Sequence, residues 1–303
     1  MSKYQYVFII GAGRSGTKYL RNTLFANELC TRIPYDVNFI WRYGNEHLPH
    51  DEIGPEDVKG FQVDWIRRKL AGLIDKDTRR PKARYIIEKT VSNALRPALL
   101  HHVFPEAKFI HILRDGRAVT ESAMRMWAQP PDNKYLLDKM RYFPWSNYKY
   151  GLWFLKNRLF GTRDRSPPIW GPRYRGIQQD LQNLPLHMIC AKQWSSCVFR
   201  SCEQLARVPS EQVMTVRYDS LMDDATTLES LCSFIGVDSA PVIESCRSTL
   251  QRGNDNKWRA GLSASQIVEI DEYFNLLPAE LVAQAEGSQI NSENHRLFKG
   301  EVN

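Results

Sequence analysis

The sequence has no apolar run of about 18 residues, the length that a membrane-spanning helix needs, so we predict no transmembrane segment. Its first residues, Met1–Tyr4, lead directly into an apolar stretch and leave no room for a signal peptide. Internal repeats and low-complexity tracts are also absent. With 43% hydrophobic and 25% charged residues, the chain is typical of a globular protein. These features predict a single cytoplasmic domain over residues 1–303.

Metal-binding and disulfide patterns are equally scarce. None of the six cysteines forms a C-x-x-C pair, which favours buried free thiols in a reducing compartment. His47 and His50 lie beside Asp51, but a surface loop explains this group better than a metal site does. The sequence therefore predicts no metal.

The net charge is +7, from 41 basic and 34 acidic side chains. An excess of positive charge suits an anionic partner, either a nucleotide or a nucleic acid. Recognition motifs for nucleic acid are absent, so we predict no nucleic-acid partner. The sequence does not indicate the oligomeric state.

The most informative segment is Tyr6–Leu20, in which an apolar β-branched run is followed by a glycine-rich turn and a helical pattern. A strand, a turn of small residues and a helix N-terminus together present backbone N–H groups to an anion. The turn also carries the side chains of Arg14, Ser15 and Thr17. We therefore predict a phosphate-binding loop between Gly11 and the helix.

Several interpretations of this loop are open. Gly11, Gly13 and Gly16 match the G-x-G-x-x-G pattern of dinucleotide folds, and Asp36 lies where a ribose-binding acid is expected. A nucleoside-triphosphate P-loop would require lysine before threonine, whereas the order here is Thr17-Lys18. An ordinary strand-to-helix turn is the simplest alternative.

A second strand–turn–helix pattern occurs at Lys108–Ser122. Phe109–Leu113 is predicted as a buried strand, and Arg114 follows at its end. Arg114 and Ser122 can converge on one anion across the first two turns of the helix, since a guanidinium and a hydroxyl both donate to phosphate oxygens. Between the two patterns, Tyr85–Glu88 is predicted as a strand that ends at Lys89.

In this order, the motifs resemble the sulfotransferases that use 3′-phosphoadenosine 5′-phosphosulfate (PAPS). In motif spacing they are closest to the tyrosylprotein sulfotransferases and their bacterial relatives. The resemblance implies that the first loop holds the 5′-phosphosulfate and that the second holds the 3′-phosphate. The cofactor-binding residues implied in this way are Arg14, Ser15, Gly16, Thr17, Lys18, Arg114, Ser122, Tyr218 and Lys257.

The resemblance also implies sulfuryl transfer without a metal to a hydroxyl or amine of a peptide tyrosine, a glycan or a small alcohol or phenol. Adenosine 3′,5′-bisphosphate would be the second product. Asp36 is the expected general base, with Arg14 and Lys89 as catalytic cations, although the family usually has glutamate at the position of Asp36. Glu88 is the alternative base. A P-loop kinase and a non-catalytic nucleotide-binding module remain as alternative functions.

The alternation of strands and helices predicts an α/β fold: a P-loop-like, three-layer arrangement with a central parallel sheet between helices. Residues 126–185 interrupt this alternation with proline pairs and four tryptophans. We interpret them as an insertion that contributes to acceptor binding as a cap, or forms a small satellite core, or both. The predicted strands are Tyr6–Ile10, Cys30–Ile33, Tyr85–Glu88, Phe109–Leu113 and Val213–Tyr218. The predicted helices include Ala94–Phe104, Leu186–Ala206 and Asp223–Ile235.

Overall fold

A computed structural model describes residues 4–74, 80–129, 169–249 and 256–278. Within these ranges the chain forms a five-stranded parallel sheet with the strand order β2-β3-β1-β4-β5. The strands are β1 (Gln5–Ile10), β2 (Cys30–Arg32), β3 (Tyr85–Glu88), β4 (Lys108–Leu113) and β5 (Val213–Arg217). Most of the insertion lies outside the described residues, and so does the C-terminal segment 279–303.

The helices lie on both faces of this sheet, as the predicted α/β class requires, and the fold class is confirmed. The helices that precede the undescribed segment 130–168 are α1 (Thr17–Leu24), α2 (Asn38–Trp41), α3 (Gly60–Gly72), α4 (Pro97–Val103) and α5 (Gly116–Ala128). Those that follow it are α6 (Ile177–Asn183), α7 (Leu186–Leu205), α8 (Tyr218–Asp223), α9 (Ala225–Ile235), α10 (Ala240–Thr249), α11 (Trp258–Gly261) and α12 (Ala264–Asn275). Among the described residues, no helix has both the length and the apolar character needed to cross a membrane.

Strand β1 is the centre of the sheet and explains its two cores. Alternate side chains of a strand point to opposite faces. Tyr6 and Phe8 therefore pack in an aromatic core on one face, whereas Val7 and Ile9 pack on the other face with helices α1 and α9. Both faces are covered, which is why the strand is an almost continuous apolar run.

The topology brings the predicted site together. Parallel strands all end at the same edge of the sheet, and ligands bind at this edge where the chain reverses its direction of strand addition. The reversal occurs at β1, which pairs with β3 on one side and β4 on the other. The segments that carry Arg14, Lys89 and Arg114 follow these three strands directly.

Two predicted elements differ in detail. The expected helix Ala94–Phe104 is divided into a 3₁₀ turn (Val91–Leu95) and α4, because Pro97 disfavours the helical conformation at the preceding residue, and Arg96 has φ −151° and ψ 40°. Tyr218 does not end β5 but begins α8.

Candidate active site

The glycine-rich loop forms a tight turn between β1 and α1. Arg14 and Gly16 both have left-handed backbone conformations, with φ of +73° and +84°. Arg14 is exposed, whereas Ser15 and Thr17 are buried at 1% and 4% exposure. The two left-handed residues, Arg14 and Gly16, with Ser15 between them, direct successive backbone N–H groups towards one side of the turn. The N-terminus of α1 adds the positive end of its helix dipole there. The loop therefore has the conformation of an anion-binding turn.

Tyr218 closes one side of this loop. A Cβ atom added to Gly16 would lie only 2.6 Å from Cδ2 of the Tyr218 ring. The same ring stacks with Arg114, whose Cζ atom lies 4.0 Å from the ring centroid. A single aromatic side chain therefore packs against the first loop and the arginine of the second.

Direct hydrogen bonds join the two predicted anion loops. The Arg114 Nη1 group donates to the Arg14 carbonyl oxygen at 2.8 Å. In return, Arg14 Nε donates to the Ser122 hydroxyl at 2.9 Å. The structure thus brings together Arg14, Arg114, Ser122 and Tyr218, which are far apart in the sequence.

The proximity of two guanidinium groups makes the region strongly electropositive. Partial desolvation, followed by the like charge of Arg114, lowers the pKa of Arg14 from its ordinary value. Like charges held together at a loop of N–H donors and hydroxyls favour a multiply charged anion between them. The donor set therefore fits a phosphorylated nucleotide.

Asp36 and Lys89 form an ion pair beside this region. Lys89 Nζ donates to the two carboxylate oxygens of Asp36 at 2.9 and 3.3 Å. The Asp36 side chain is 26% exposed and the Lys89 side chain 9% exposed, so the carboxylate can be reached from solvent. Lys89 follows β3, the neighbour of β1, and this places the pair one strand away from the Arg14 loop.

Glu88, the alternative base, has a different environment. It is 1% exposed, and its two oxygens accept hydrogen bonds from Thr90 Oγ1 at 2.6 Å and from Asn93 Nδ2 at 2.9 Å. Burial raises the pKa of Glu88 from 4.5 to about 7; the charge of Asp36 adds to this, while Thr90, Arg96 and Lys89 oppose it. Its burial argues against direct contact with an acceptor, although the group titrates near neutral pH.

We expect Glu88→Gln to change the pH dependence of stability. The folded state retains the Glu88 proton up to about pH 7, whereas the unfolded chain releases it near 4.5, so this group lowers stability as the pH rises through that window. At about 1.4 kcal/mol per pH unit, the loss amounts to roughly 3 kcal/mol. Urea unfolding between pH 4 and 8 should therefore show the variant gaining stability relative to the wild type as the pH rises. Parallel stability curves would contradict the elevated pKa.

The two remaining predicted cations, Lys18 and Lys257, lie on exposed segments at the edge of this region. Lys18 is exposed on the first turn of α1. Lys257 is exposed and directly precedes α11, whose Gly261 packs against Glu121, the neighbour of Ser122. Their positions are compatible with contact to a nucleotide, and their roles stay predictions.

The part of the insertion that the structure describes from residue 169 onward contacts the first loop. The Trp170 ring lies against Gly13, where an added Cβ would be 3.4 Å from its Cη2 atom. Gln193 on α7 donates to the carbonyl oxygens of Trp170 and Pro172 at 2.8 and 2.9 Å and accepts from Trp127 Nε1 at 3.3 Å. Trp145 and Trp153 lie outside the described residues, so their predicted part in a cap stays a prediction.

Sequence reasoning missed Gln193 and its neighbour Trp194. The Trp194 Nε1 group donates to the Arg114 carbonyl oxygen at 3.1 Å and so fixes the second loop to α7. The signal available was a glutamine within an otherwise apolar helix face, since a buried amide needs partners.

In the part of the chain that the structure describes, no group of three or more histidine, cysteine or acidic side chains is arranged to hold a metal ion. His50 contributes only its backbone carbonyl to a bond with Arg42 Nη1, and the Asp51 carboxylate pairs with Arg42 at 2.8 Å and with Arg173 at 3.0 Å. The Asp51 carboxylate therefore has a structural ion-pair role.

Comparison with known proteins gives the context of this geometry. The sequence model of the sulfotransferase family matches residues 6–146. No curated protein sequence matches the chain. Among solved structures, a sulfotransferase from Alicyclobacillus acidocaldarius is similar, with 18% identity, a TM-score of 0.52, and coverage of 98% of this chain and 100% of the other.

Two further structures are similar. A sulfotransferase from Mycobacterium avium has 13% identity, a TM-score of 0.50, and coverage of 91% of this chain and 78% of its own. A mouse sulfotransferase complexed with PAP has 15% identity, a TM-score of 0.42, and coverage of 99% of this chain and 89% of its own. At such identities the likenesses to the Alicyclobacillus acidocaldarius and Mycobacterium avium structures concern the fold alone.

Proposed function

We propose that this chain, whose residues 6–146 match the sequence model of the sulfotransferase family, transfers a sulfuryl group from PAPS to a hydroxyl or amine group of an acceptor. One observation carries this proposal. Two anion loops are joined by the contacts among Arg14, Arg114 and Ser122, and a lysine–carboxylate pair lies beyond the ends of the adjacent strands β3 and β2. A nucleotide with phosphate groups at both its 3′ and 5′ positions matches two loops better than a nucleotide with one phosphorylated end.

The first loop supplies the donors for the 5′-phosphosulfate: the backbone of Ser15–Thr17, the Thr17 hydroxyl and the Arg14 guanidinium, with Lys18 at the margin. The second loop supplies Arg114 and Ser122 for the 3′-phosphate. Tyr218 and Lys257 complete the proposed nucleotide site. The contact between Tyr218 and both loops supports a common ligand, because the ring contacts Gly16 and Arg114 together.

The proposed transfer is an in-line displacement at sulfur. The acceptor oxygen or nitrogen forms a bond to sulfur while the bond from sulfur to the bridging phosphate oxygen breaks, and the acceptor proton passes to the Asp36 carboxylate. The released nucleotide is adenosine 3′,5′-bisphosphate. Lys89 and Arg14 offset the negative charge that develops on the bridging oxygen, since preorganised cations stabilise such charge most strongly where water is scarce.

The residues around the proposed base are compatible with several classes of acceptor. A peptide tyrosine, a glycan hydroxyl and a small alcohol or phenol each fit a carboxylate base beside an aromatic surface. The position of Trp170 against the first loop supports an acceptor with a ring, because both phenols and sugar faces stack on indole. A panel containing 4-nitrophenol, a tyrosine peptide and a glucosamine disaccharide separates these classes.

We expect adenosine 3′,5′-bisphosphate to raise the melting temperature of the protein, and NAD to have no effect. A ligand that binds only the folded state at 100 times its dissociation constant stabilises it by about 2.7 kcal/mol, or roughly 4 °C for a chain of this size. A thermal-shift titration measures this.

Two further ligands serve as controls for the titration. Adenosine 5′-phosphate lacks the 3′ group, and equal stabilisation by it would contradict the roles of Arg114 and Ser122. A shift produced only by ATP with magnesium would favour a kinase instead. Stabilisation by the bisphosphate without transfer to any acceptor in the panel would indicate a binding module.

A further inference from the structure

The segment that carries Asp36 is fixed to the rest of the molecule on both sides. Before it, the buried Arg21 of α1 donates from Nη1 to the carbonyl oxygens of Ile33 and Pro34 at 3.2 and 2.7 Å. After it, the Val37 N–H group donates to the Thr90 hydroxyl oxygen at 2.9 Å. The proposed base therefore lies on a backbone whose direction is set from two neighbouring elements.

Thr90 itself is held by a buried carboxylate. Its hydroxyl donates to Glu88 Oε1 at 2.6 Å, which leaves the hydroxyl oxygen to accept from the Val37 amide. Thr90 is 2% exposed and Glu88 1% exposed, so water does not compete for these bonds. When Glu88 is ionised, its oxygens only accept hydrogen bonds, so the single proton of the Thr90 hydroxyl is committed to Glu88 and the orientation of the hydroxyl is determined.

A second group of hydrogen bonds holds Asn38, the residue after Val37. Asn38 accepts a hydrogen bond from Arg96 Nη2 and donates from Nδ2 to Asp51 at 3.2 Å. Arg96 Nε donates in turn to Asn93 Oδ1 at 3.0 Å, and Asn93 bonds to Glu88. Glu88 is thus linked to the segment after Asp36 by two routes, one to the Val37 backbone through Thr90 and one to the Asn38 side chain through Asn93 and Arg96.

Two consecutive residues after β3 position Asp36, one through its side chain and one through its backbone. Lys89 contacts the Asp36 carboxylate, and the next residue, Thr90, holds the peptide group that follows Asp36. The side chain and the backbone of the proposed base are therefore positioned by consecutive residues of one strand end. Two anchors of this kind fix a carboxylate more narrowly than an ion pair alone, because an ion pair tolerates rotation of the ammonium group.

We propose that Thr90, oriented by Glu88, is a positioning residue for the transfer reaction and acts through Asp36. This inference rests on the proposed function, in which Asp36 accepts the acceptor proton. Thr90 contacts neither substrate in this proposal. It fixes the orientation of the Asp36 carboxylate relative to the acceptor hydroxyl. A small misorientation of a catalytic group lowers the reaction rate substantially.

The test compares Thr90→Val in the wild-type chain and in an Asp36→Asn chain, with release of adenosine 3′,5′-bisphosphate from PAPS measured on the panel acceptor that is turned over fastest. Thr90→Val keeps the shape of the side chain but removes its hydroxyl. We expect kcat to fall about tenfold in the wild-type background, with KM for PAPS within about twofold. In the Asp36→Asn background the same change should leave the residual rate unchanged, and Thr90→Ser should restore most of the wild-type kcat.

Thr31→Val is the matched control. Thr31 is 1% exposed on the neighbouring strand β2, and within the described part of the chain its hydroxyl has no hydrogen-bond partner. The same chemical change should therefore leave kcat unaltered. If Thr90→Val does not fold, Thr90→Ala replaces it, because the smaller side chain causes no crowding.

The outcomes separate two failures. Equal losses from the Thr90 substitution in the two backgrounds would overturn the positioning role while leaving the proposed function in place, and so would an unchanged kcat in the wild-type background. If Asp36→Asn alone leaves turnover unchanged, or if the wild-type chain transfers no sulfuryl group to any acceptor of the panel, then the proposed role of Asp36 fails and the role of Thr90 fails with it.

Discussion

Replacing Asp36 with asparagine should lower turnover by about 10²–10⁴-fold, the usual contribution of a positioned general base, while PAPS affinity stays nearly unchanged. Asparagine retains the size of the side chain but cannot accept the acceptor proton. The loss should be smaller for acceptors with an acidic hydroxyl, such as 4-nitrophenol, because less proton removal is then needed in the transition state. Steady-state kinetics on phenols of graded acidity measure both effects.

Asp224→Asn is the matched control for this substitution. Asp224 is exposed and accepts a hydrogen bond from the Thr226 N–H at 2.9 Å as the N-terminal cap of α9. Asparagine caps helices as well as aspartate does, so turnover should be unaltered. If Asp36→Asn behaves in the same way, with turnover within about threefold of the wild type on a weakly acidic acceptor, then Asp36 is not the base and Glu88 is the next acid to test.

Replacing Arg114 with alanine should weaken binding of adenosine 3′,5′-bisphosphate by about 10–150-fold, which corresponds to roughly 1.5–3 kcal/mol for a lost charge-assisted hydrogen bond. Affinity for adenosine 5′-phosphate should change much less, because the missing contact is to the 3′-phosphate. Isothermal titration calorimetry with both nucleotides separates this effect from a general disturbance of the loops.

Arg117→Ala provides the control for Arg114. Arg117 lies on α5, three residues after Arg114, and pairs with Asp271 at 2.6 Å. Its removal should leave both nucleotide affinities unchanged. Equal weakening of the two nucleotides by Arg114→Ala would mean that Arg114 supports the Arg14 carbonyl without contacting the 3′-phosphate, and an unchanged affinity would remove it from the site.

Local sequence signals were sufficient for the sheet. The strand Tyr85–Glu88 was predicted with its observed bounds, and the other four strands were predicted to within one residue at each end. Buried parallel strands are short apolar runs bounded by turn residues, so each one is visible without knowledge of its neighbours. The edge at which they end follows from their parallel direction, and this made the position of the Arg14 loop predictable.

Contacts between distant segments could not be predicted in the same way. The sequence does not show that Gln193 holds Trp170, or that Thr90 accepts from the Val37 amide, because these pairs depend on how α7 and β3 lie against loops elsewhere in the chain. The environment of Glu88 was similarly hidden. Its side chain faces Thr90 and Asn93 inside the protein, while that of the next residue, Lys89, reaches Asp36.

The contact between Gly16 and Tyr218 has a consequence for how sequences of this kind can vary. A side chain at position 16 would need both a left-handed backbone and the space that the Tyr218 ring occupies, so it would displace the ring from Arg114. Substitution at position 16 is therefore expected to be tolerated only together with a smaller residue at position 218. Homologous chains should show these two positions changing in concert, and a glycine loop grafted from another protein should function only if its aromatic partner is transferred with it.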